Sequence, residues 1–275
     1  MKRVLFMRLV VSLFASVWAV SASAENSNRV SEAYASVSNR PYRVLFIGHS
    51  LFFVNSVPEA VEYLSQAAKV TRPLQATICT KGGATHQVHW DSPDVMQHLH
   101  DEEWDLVLIA GNLNDMHNPE KVNLEYAIKL DNEAKRKCGR VMEYLAWPWG
   151  LEHETGEKTQ VFERRMNAQK AFDKNLLLLA RETGVTLVPC GPGLVNVIKK
   201  DLKFMDEMKY GDVHVSAVGS YFTACVIFAE IYNQSPEGLP SIFQKYKIDQ
   251  ARASVLQRTA WETVQEWKKI QAAGQ

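Results

Sequence analysis

The chain has 275 residues, of which 46% are hydrophobic and 23% are charged, as in a globular protein and unlike a disordered or fibrous one. Its 31 lysine and arginine residues equal its 31 aspartate and glutamate residues in number. Because there is no basic surplus to attract a polyanion, we expect neither a nucleic acid nor an anionic membrane as the partner.

The N-terminus has the pattern of a secretory signal peptide. Lys2 and Arg3 precede a mostly apolar run at residues 9–20, and residues 22–24 (Ala-Ser-Ala) form a small-residue cleavage site. The apolar run is shorter than the ~20 residues of a membrane span. The sequence therefore predicts a signal peptide over residues 1–24 and a secreted or periplasmic protein with no membrane attachment after cleavage. An uncleaved N-terminal anchor is the alternative.

A polar leader at residues 25–40 precedes a region in which short apolar runs alternate with helical patterns. The predicted strands are residues 43–48, 74–80, 105–110, 141–147 and 185–189. The predicted helices are residues 58–68, 93–100, 119–137, 160–183, 194–200, 216–232 and 250–270. This alternation predicts one α/β domain over residues 41–275, with a three-layer αβα architecture and a flavodoxin-like, parallel five-stranded sheet. Ligands of such sheets bind outside the carboxyl ends of the strands, so the residues that follow each strand are the candidates for a site.

Polar or small residues follow the first two predicted strands. Ser50 lies two residues after Gly48, where a hydroxyl can act as a nucleophile once a base removes its proton. A helix cap is the alternative role for this serine. After the second strand, Gly82 and Gly83 either let the backbone approach a ligand closely or form an ordinary turn.

Two further candidates follow later in the chain. Asn112 comes directly after the third strand, where its amide can donate to a developing oxyanion, or cap a turn. His214 stands just before a capped helix, with Asp212 two residues earlier, which suits a general base and its orienting carboxylate. A solvated histidine without a catalytic role is the alternative.

Together these residues resemble the SGNH (GDSL-type) hydrolases, which carry a serine after strand one, a glycine after strand two, an asparagine after strand three and a late Asp/His pair. The chain is more similar to a bacterial branch that is catalogued as a domain of unknown function. The similar blocks are residues 44–51 (VLFIGHSL), 82–89 (GGATHQVH), 104–108 (WDLVL) and 213–221 (VHVSAVGSY). The resemblance runs over residues 43–239, which is most of the chain after the leader.

The resemblance implies acyl transfer at an ester. Ser50 would attack the carbonyl carbon, His214 would take the serine proton and return it to the leaving alcohol, and Asp212 would orient the imidazole. The N–H groups of Ser50 and Gly83 and the side-chain amide of Asn112 would form the oxyanion hole. Neither a metal nor a cofactor is implied.

The chain also departs from the family pattern. His49 stands beside the nucleophile, where the family usually has Asp or Asn, and Gly211 occupies the usual position of the acid, three residues before the histidine. Asn112 lies one residue early and Asn114 one residue late for the family's asparagine, and we prefer Asn112. A Ser–His dyad without an acid, and the other nearby acids, Asp206 and Glu207, are alternatives to Asp212.

Two more groups of side chains require an interpretation. Histidines and an aspartate cluster after the second strand, and a metal could be held by some of them, although we interpret them as loop histidines beside the site. They are His86, His89, Asp91, His98 and His100. The fourth predicted strand ends at Trp147 and Trp149 comes soon after it, so exposed indoles there could stack on sugar rings or pack at the rim of the sheet.

The sequence thus predicts an exported serine hydrolase that cleaves ester bonds, with carbohydrate O-acetyl esters as the expected substrate class. The first alternative is a catalytically degenerate protein that binds a carbohydrate or other ligand on the same scaffold. The second is a metal-dependent phosphodiesterase that uses the histidine cluster.

Overall fold

A sheet of five parallel strands lies at the centre of the structure. The computed structural model describes residues 40–111, 124–147, 156–210, 214–243 and 246–274. The strands of the sheet are β1 (Tyr42–Gly48), β2 (Leu74–Thr80), β3 (Leu106–Ile109), β4 (Val141–Tyr144) and β5 (Thr186–Val188). Their order is β2-β1-β3-β4-β5, and every neighbouring pair is parallel. This is the flavodoxin-like order, so the predicted fold class is confirmed.

The central strands are apolar on both faces because helices cover both faces. In β1, Val44 and Phe46 belong to one hydrophobic cluster, and Leu45 and Ile47 belong to another. Successive side chains of a strand point to opposite faces, so the two clusters are the two cores on either side of the sheet. A short continuous apolar run is therefore the pattern expected of this strand.

The described residues include helices of very different lengths. In chain order they are α1 (Ser50–Phe53), α2 (Val57–Ala67), α3 (His86–Trp90), α4 (Pro93–Asp101), α5 (Glu125–Lys137), α6 (Lys158–Thr183), α7 (Cys190–Lys200), α8 (Phe204–Glu207), α9 (Ala217–Tyr232) and α10 (Gln250–Gly274). Helices α2, α7, α9 and α10 contribute to the core on one face, and α4 and α5 contribute to the core on the other. Within the described ranges, no helix is long and apolar enough to cross a membrane.

Two short antiparallel hairpins accompany the main sheet. Strand β6 (Lys209–Tyr210) pairs with β7 (His214–Val215), and β8 (Ile242–Phe243) pairs with β9 (Tyr246–Lys247). The sequence analysis did not predict these hairpins or the short helices α1, α3 and α8. It also extended the fourth strand to residue 147, whereas β4 ends at Tyr144.

Residues Tyr42–Gln275 form one compact unit. Residues 1–39, which contain the predicted signal peptide and almost all of the predicted leader, lie outside the described residues, as does the start of the helix predicted over residues 119–137.

Candidate active site

Ser50 is the first residue of α1 and follows the end of β1 with only His49 between them. His49 is the N-cap of this helix, and its Nδ1 accepts a hydrogen bond of 3.4 Å from the Leu51 N–H. Because Nδ1 accepts, the ring proton lies on Nε2, which donates to the Gly111 carbonyl at 2.8 Å. His49, which departs from the family pattern, therefore caps the helix that begins with Ser50 and ties it to the segment that follows β3.

His214 begins the short strand β7, which two elements hold in place. Tyr210 of β6 is its antiparallel partner. On the other side, the amide of Asn55, between α1 and α2, donates 3.0 Å hydrogen bonds to the Val215 carbonyl and to the Ser220 hydroxyl. Cα atoms of α1 and β7 lie within 8 Å of each other. The elements that carry Ser50 and His214 therefore meet at the carboxyl edge of the sheet.

Ser216 sets the direction in which the chain leaves β7. Its hydroxyl caps α9 by accepting from the Gly219 N–H at 3.2 Å, and it donates to the Glu207 carbonyl. The Ser216 N–H also donates to the Met208 carbonyl at 2.7 Å. The capped helix predicted after His214 is thus present, and the cap anchors the histidine strand to the end of α8.

The acid that would orient His214 can be sought among three residues. Asp212, the predicted partner, lies outside the described residues. Asp206 is largely exposed and forms an ion pair with Lys158. Glu207 pairs through Oε1 with Arg252 at 2.8 Å, while its buried Oε2 has no hydrogen-bond partner among the described residues. Of the two alternatives, only Glu207 offers a buried carboxylate oxygen.

The loop after β2 lies against the turn that leads from β1 to Ser50. The Lys81 N–H donates to the Gly48 carbonyl at 3.0 Å, which ties the loop to the end of β1. Gly83 has a φ of +66°, in the left-handed region that a side chain disfavours, so this position needs glycine. Asn112 and Asn114, the other candidates for the oxyanion hole, lie outside the described residues.

The interpretation of His86 and His89 as loop residues is wrong. Both are buried on α3, whose N-cap is the side chain of Thr85. Burial, together with the nearby rings of His86 and His49, lowers the pKa of His89 to about 4, so this imidazole is neutral at neutral pH.

The histidines also do not converge on one point. His86 Nε2 contacts Glu143 Oε1 at 3.1 Å, and the exposed or half-exposed members pair with other glutamates: His98 with Glu102 at 3.0 Å and His100 with Glu133 at 2.8 Å. In the part of the chain that the structure describes, no three His, Cys, Asp or Glu side chains are grouped so that they could hold a metal ion. The phosphodiesterase alternative gains no support from this arrangement.

Trp147 is 1% exposed and belongs to the hydrophobic core. Of its two predicted roles, packing is therefore correct and stacking on a sugar is wrong. Trp149 lies outside the described residues.

A cavity of about 480 Å³ opens beside the edge strand β2, at the start of the loop that carries Gly83. It is lined by residues that include Lys81, His89, Asp91 and Asp94. An ammonium group and two carboxylates are groups that form hydrogen bonds with hydroxyl-rich ligands. This cavity could not be predicted from local sequence patterns, because its walls come from β2 and from the junction of α3 and α4.

Two polar contacts of the site also escaped the sequence analysis. Asn55 and Glu143 are ordinary residues in their local sequence context, and each gains its role from a partner that is distant in the chain. A buried glutamate in an otherwise apolar strand, Val-Met-Glu-Tyr, was the one available signal.

No protein-family model matches the chain, and no curated protein matches it. Solved structures do match. A protein of the DUF4886 family from Bacteroides uniformis superposes with a TM-score of 0.64 at 18% identity, over 82% of this chain and 95% of that one. A protein assigned to the SGNH hydrolases, from Slackia heliotrinireducens, gives 0.50 at 20% identity, over 68% and 97% of the two chains.

The fold is that of the SGNH hydrolases. A variant of an acetyl xylan esterase from Geobacillus stearothermophilus is similar as well, with a TM-score of 0.50 at 18% identity over 70% of this chain and 94% of that one. The resemblance inferred from the sequence is thus confirmed at the level of the fold, including the similarity to an uncharacterised branch. Identities this low establish the fold alone.

Proposed function

We propose that the protein is a serine esterase of the SGNH type. The observation that carries the proposal is the meeting of α1 and β7, because it brings Ser50 and His214, from opposite ends of the domain sequence, to one edge of the sheet. A hydroxyl at the start of a helix and an imidazole on the strand that meets this helix are the two groups that nucleophilic catalysis by a serine needs. The SGNH fold supports the same conclusion.

The reaction would proceed in two steps. Ser50 Oγ attacks the ester carbonyl while His214 takes the hydroxyl proton, and the oxyanion is met by the N–H groups of Ser50 and Gly83 and by the Asn112 amide. Collapse of the tetrahedral intermediate breaks the bond to the alcohol, which leaves with the proton from His214. Water then attacks the acyl-enzyme with His214 as base, which releases the acid and restores the Ser50 hydroxyl. Asp212 is the proposed partner that orients the imidazole.

We propose carbohydrate O-acetyl esters as the substrates. An acetyl xylan esterase is among the proteins with the same fold. The cavity beside β2 adjoins the loop with Gly83, and its carboxylates and ammonium group would bind sugar hydroxyls. An acyl group as small as acetyl leaves most of the binding to the sugar, so contacts of this kind would decide affinity.

Hydrolysis of a small aryl acetate by the purified protein tests the proposal. We expect turnover by the wild type, labelling by a fluorophosphonate probe, and loss of both in Ser50→Ala. Ser254→Ala, which removes a hydroxyl that bonds to the Gln250 carbonyl within α10, is the matched control and is expected to behave like the wild type. Equal rates for the wild type and Ser50→Ala would refute the esterase. Glycan binding that survives Ser50→Ala, without turnover or labelling, would support the degenerate binding protein.

We also propose that the protein is exported and cleaved after residue 24, on the basis of the N-terminal pattern. A mature protein that begins at Glu25 in the periplasm or the medium is the expected result. Recovery of the chain in the membrane fraction with Met1 retained would support the uncleaved anchor instead.

A further inference from the structure

Two carboxyl groups that the proposed reaction does not use are buried together in the domain. Asp131 of α5 and Glu143 of β4 have no exposed surface, and their side chains are hydrogen-bond partners. Thr183 Oγ1 donates to Asp131 Oδ2 at 3.1 Å, and His86 Nε2 lies 3.1 Å from Glu143 Oε1. The two remaining oxygens, Asp131 Oδ1 and Glu143 Oε2, receive no hydrogen bond from an N–H or hydroxyl group among the described residues.

One proton shared by the two carboxyls accounts for this geometry. Ionised carboxylates only accept hydrogen bonds, so Asp131 and Glu143 can bond to each other only when one of them is protonated. Burial, strengthened by the neighbouring charge of Glu143, raises the pKa of Asp131 well above its usual range. Asp131 is therefore the donor of the shared proton and Glu143 is its acceptor, and Glu143 also accepts the N–H of His86.

His86 connects this pair to the candidate site in two directions. It is the first residue of α3 and lies three residues after Gly83 in the loop of the proposed oxyanion hole. Its ring packs on Gly111, where a Cβ atom would overlap the imidazole. The carbonyl of Gly111 in turn accepts from His49 Nε2, and His49 caps the helix that begins with Ser50.

We propose that His86, Glu143 and Asp131 are positioning residues, which fix the Gly83 loop and the segment after β3 in their places relative to Ser50. This inference rests on the proposed esterase function. Glu143 anchors His86 through a charge-assisted hydrogen bond, which is about twice as strong as a neutral one. The protonated Asp131 fixes the Glu143 carboxylate, and Thr183 fixes Asp131. A displacement of these three side chains would move the Gly83 N–H away from the oxyanion. Reaction rates are very sensitive to displacements of this kind.

A matched pair of isosteric variants separates positioning from simple packing. In Asp131→Asn, the amide N–H replaces the carboxyl proton as donor to Glu143, and the amide oxygen still accepts from Thr183. We expect its kcat and KM for an aryl acetate to stay within about twofold of the wild type. In Glu143→Gln, the charge that holds His86 is lost, and we expect kcat to fall by about 10- to 100-fold with little change in KM. His86→Gln keeps a donor for Glu143 but loses the ring on Gly111, and it replaces Glu143→Gln if that variant does not fold.

Two spectra test the hydrogen bonds among Asp131, Glu143 and His86 without any measurement of turnover. The infrared spectrum of the wild type should contain the carbonyl band of a protonated carboxyl. The spectrum of Asp131→Asn should lack this band. The ¹⁵N spectrum of His49 should show the Nε2–H tautomer in the wild type and in Asp131→Asn, and a mixture of tautomers in Glu143→Gln.

The possible results separate the two proposals. Absence of esterase activity in the wild type overturns the proposed function, and with it the catalytic part of this inference. The spectra would still show whether His86, Glu143 and Asp131 are joined by the proposed hydrogen bonds. In an active esterase, equal losses of kcat in Asp131→Asn and Glu143→Gln, an unchanged kcat in Glu143→Gln, or a missing carboxyl band would overturn the positioning role and leave the esterase standing.

Discussion

The side-chain amide of Asn55 donates a hydrogen bond of 3.0 Å to the backbone carbonyl of Val215, the residue that follows the proposed base His214. The same amide nitrogen donates to the Ser220 hydroxyl at the start of α9. Asn55 itself lies in the short connection between α1, which begins with Ser50, and α2. One side chain thus joins the segment that follows Ser50 to the strand of His214.

We predict that Asn55→Asp lowers kcat by about tenfold or more with a smaller change in KM, because a carboxylate cannot donate to the Val215 carbonyl and is repelled by it. Steady-state hydrolysis of an aryl acetate measures the effect. Ser220→Ala is the matched control, since it removes only the second of the two bonds, and we expect a smaller loss. Equal losses in both variants would mean that Asn55 acts through α9 and not through the strand of His214.

The acid of the proposed triad can be identified by comparing two substitutions. We predict that Asp212→Asn lowers kcat by roughly 10³- to 10⁴-fold, as expected when an imidazole loses the carboxylate that selects its tautomer. Glu207→Gln is the comparison, because Glu207 has a buried carboxylate oxygen near the end of α8. The reverse ranking would assign the role to Glu207, and a small effect in both would indicate a Ser–His dyad.

The buried His89 predicts a pH dependence of stability. Its pKa in the folded protein is about 4, below the 6.5 of an exposed imidazole, so the unfolded chain takes up the proton first as the pH falls. The folded state therefore loses stability relative to the unfolded state as the pH drops from about 6.5 towards 4. Between about pH 7 and about pH 5 the loss from this one group is about 2 kcal/mol.

His89→Asn tests this dependence by urea unfolding at several pH values. The substitution removes the titrating ring and keeps an amide N–H that can serve the Gly48 carbonyl, the backbone partner of His89. We expect the stability difference between wild type and variant to change in favour of the variant as the pH falls. The difference is the quantity to measure, because protonated Asp131 contributes a dependence of the opposite sign in both proteins. Parallel curves would show that His89 is not held neutral.

The cavity beside β2 predicts a separation between small and sugar substrates. Asp94 lines this cavity from the first turn of α4, and it is exposed, so its substitution should not disturb folding. We predict that Asp94→Asn raises KM for an acetylated xylo-oligosaccharide several-fold and leaves hydrolysis of an aryl acetate unchanged. Equal changes in hydrolysis of both substrates, or no change with either, would show that the cavity does not bind the sugar.

The predicted elements that agree best with the structure are those whose apolar residues follow a regular spacing within the element itself. The apolar run of β1 and the helical spacing of α2 are visible in the sequence because burial on two faces, or on one, requires such patterns. Helix α3 escaped prediction because it has five residues, three of them His, Gln and His. Its burial comes from packing against α5 and from the contacts of His86 with Gly111 and Glu143. Thr85, whose hydroxyl caps this helix, is a local signal of its start.

The sequence by itself determined which residues follow the strands and which precede the helix predicted over residues 216–232, and it thereby predicted that Ser50, Gly83 and His214 lie at one end of a parallel sheet. Only the tertiary structure decided that Trp147 is buried, that Asn55 reaches Val215, and that His86 meets Glu143. The physical reason is that a buried helix or strand requires apolar residues at regular intervals along the sequence. The partner of a polar group leaves no such pattern, because it depends on which distant elements pack against each other.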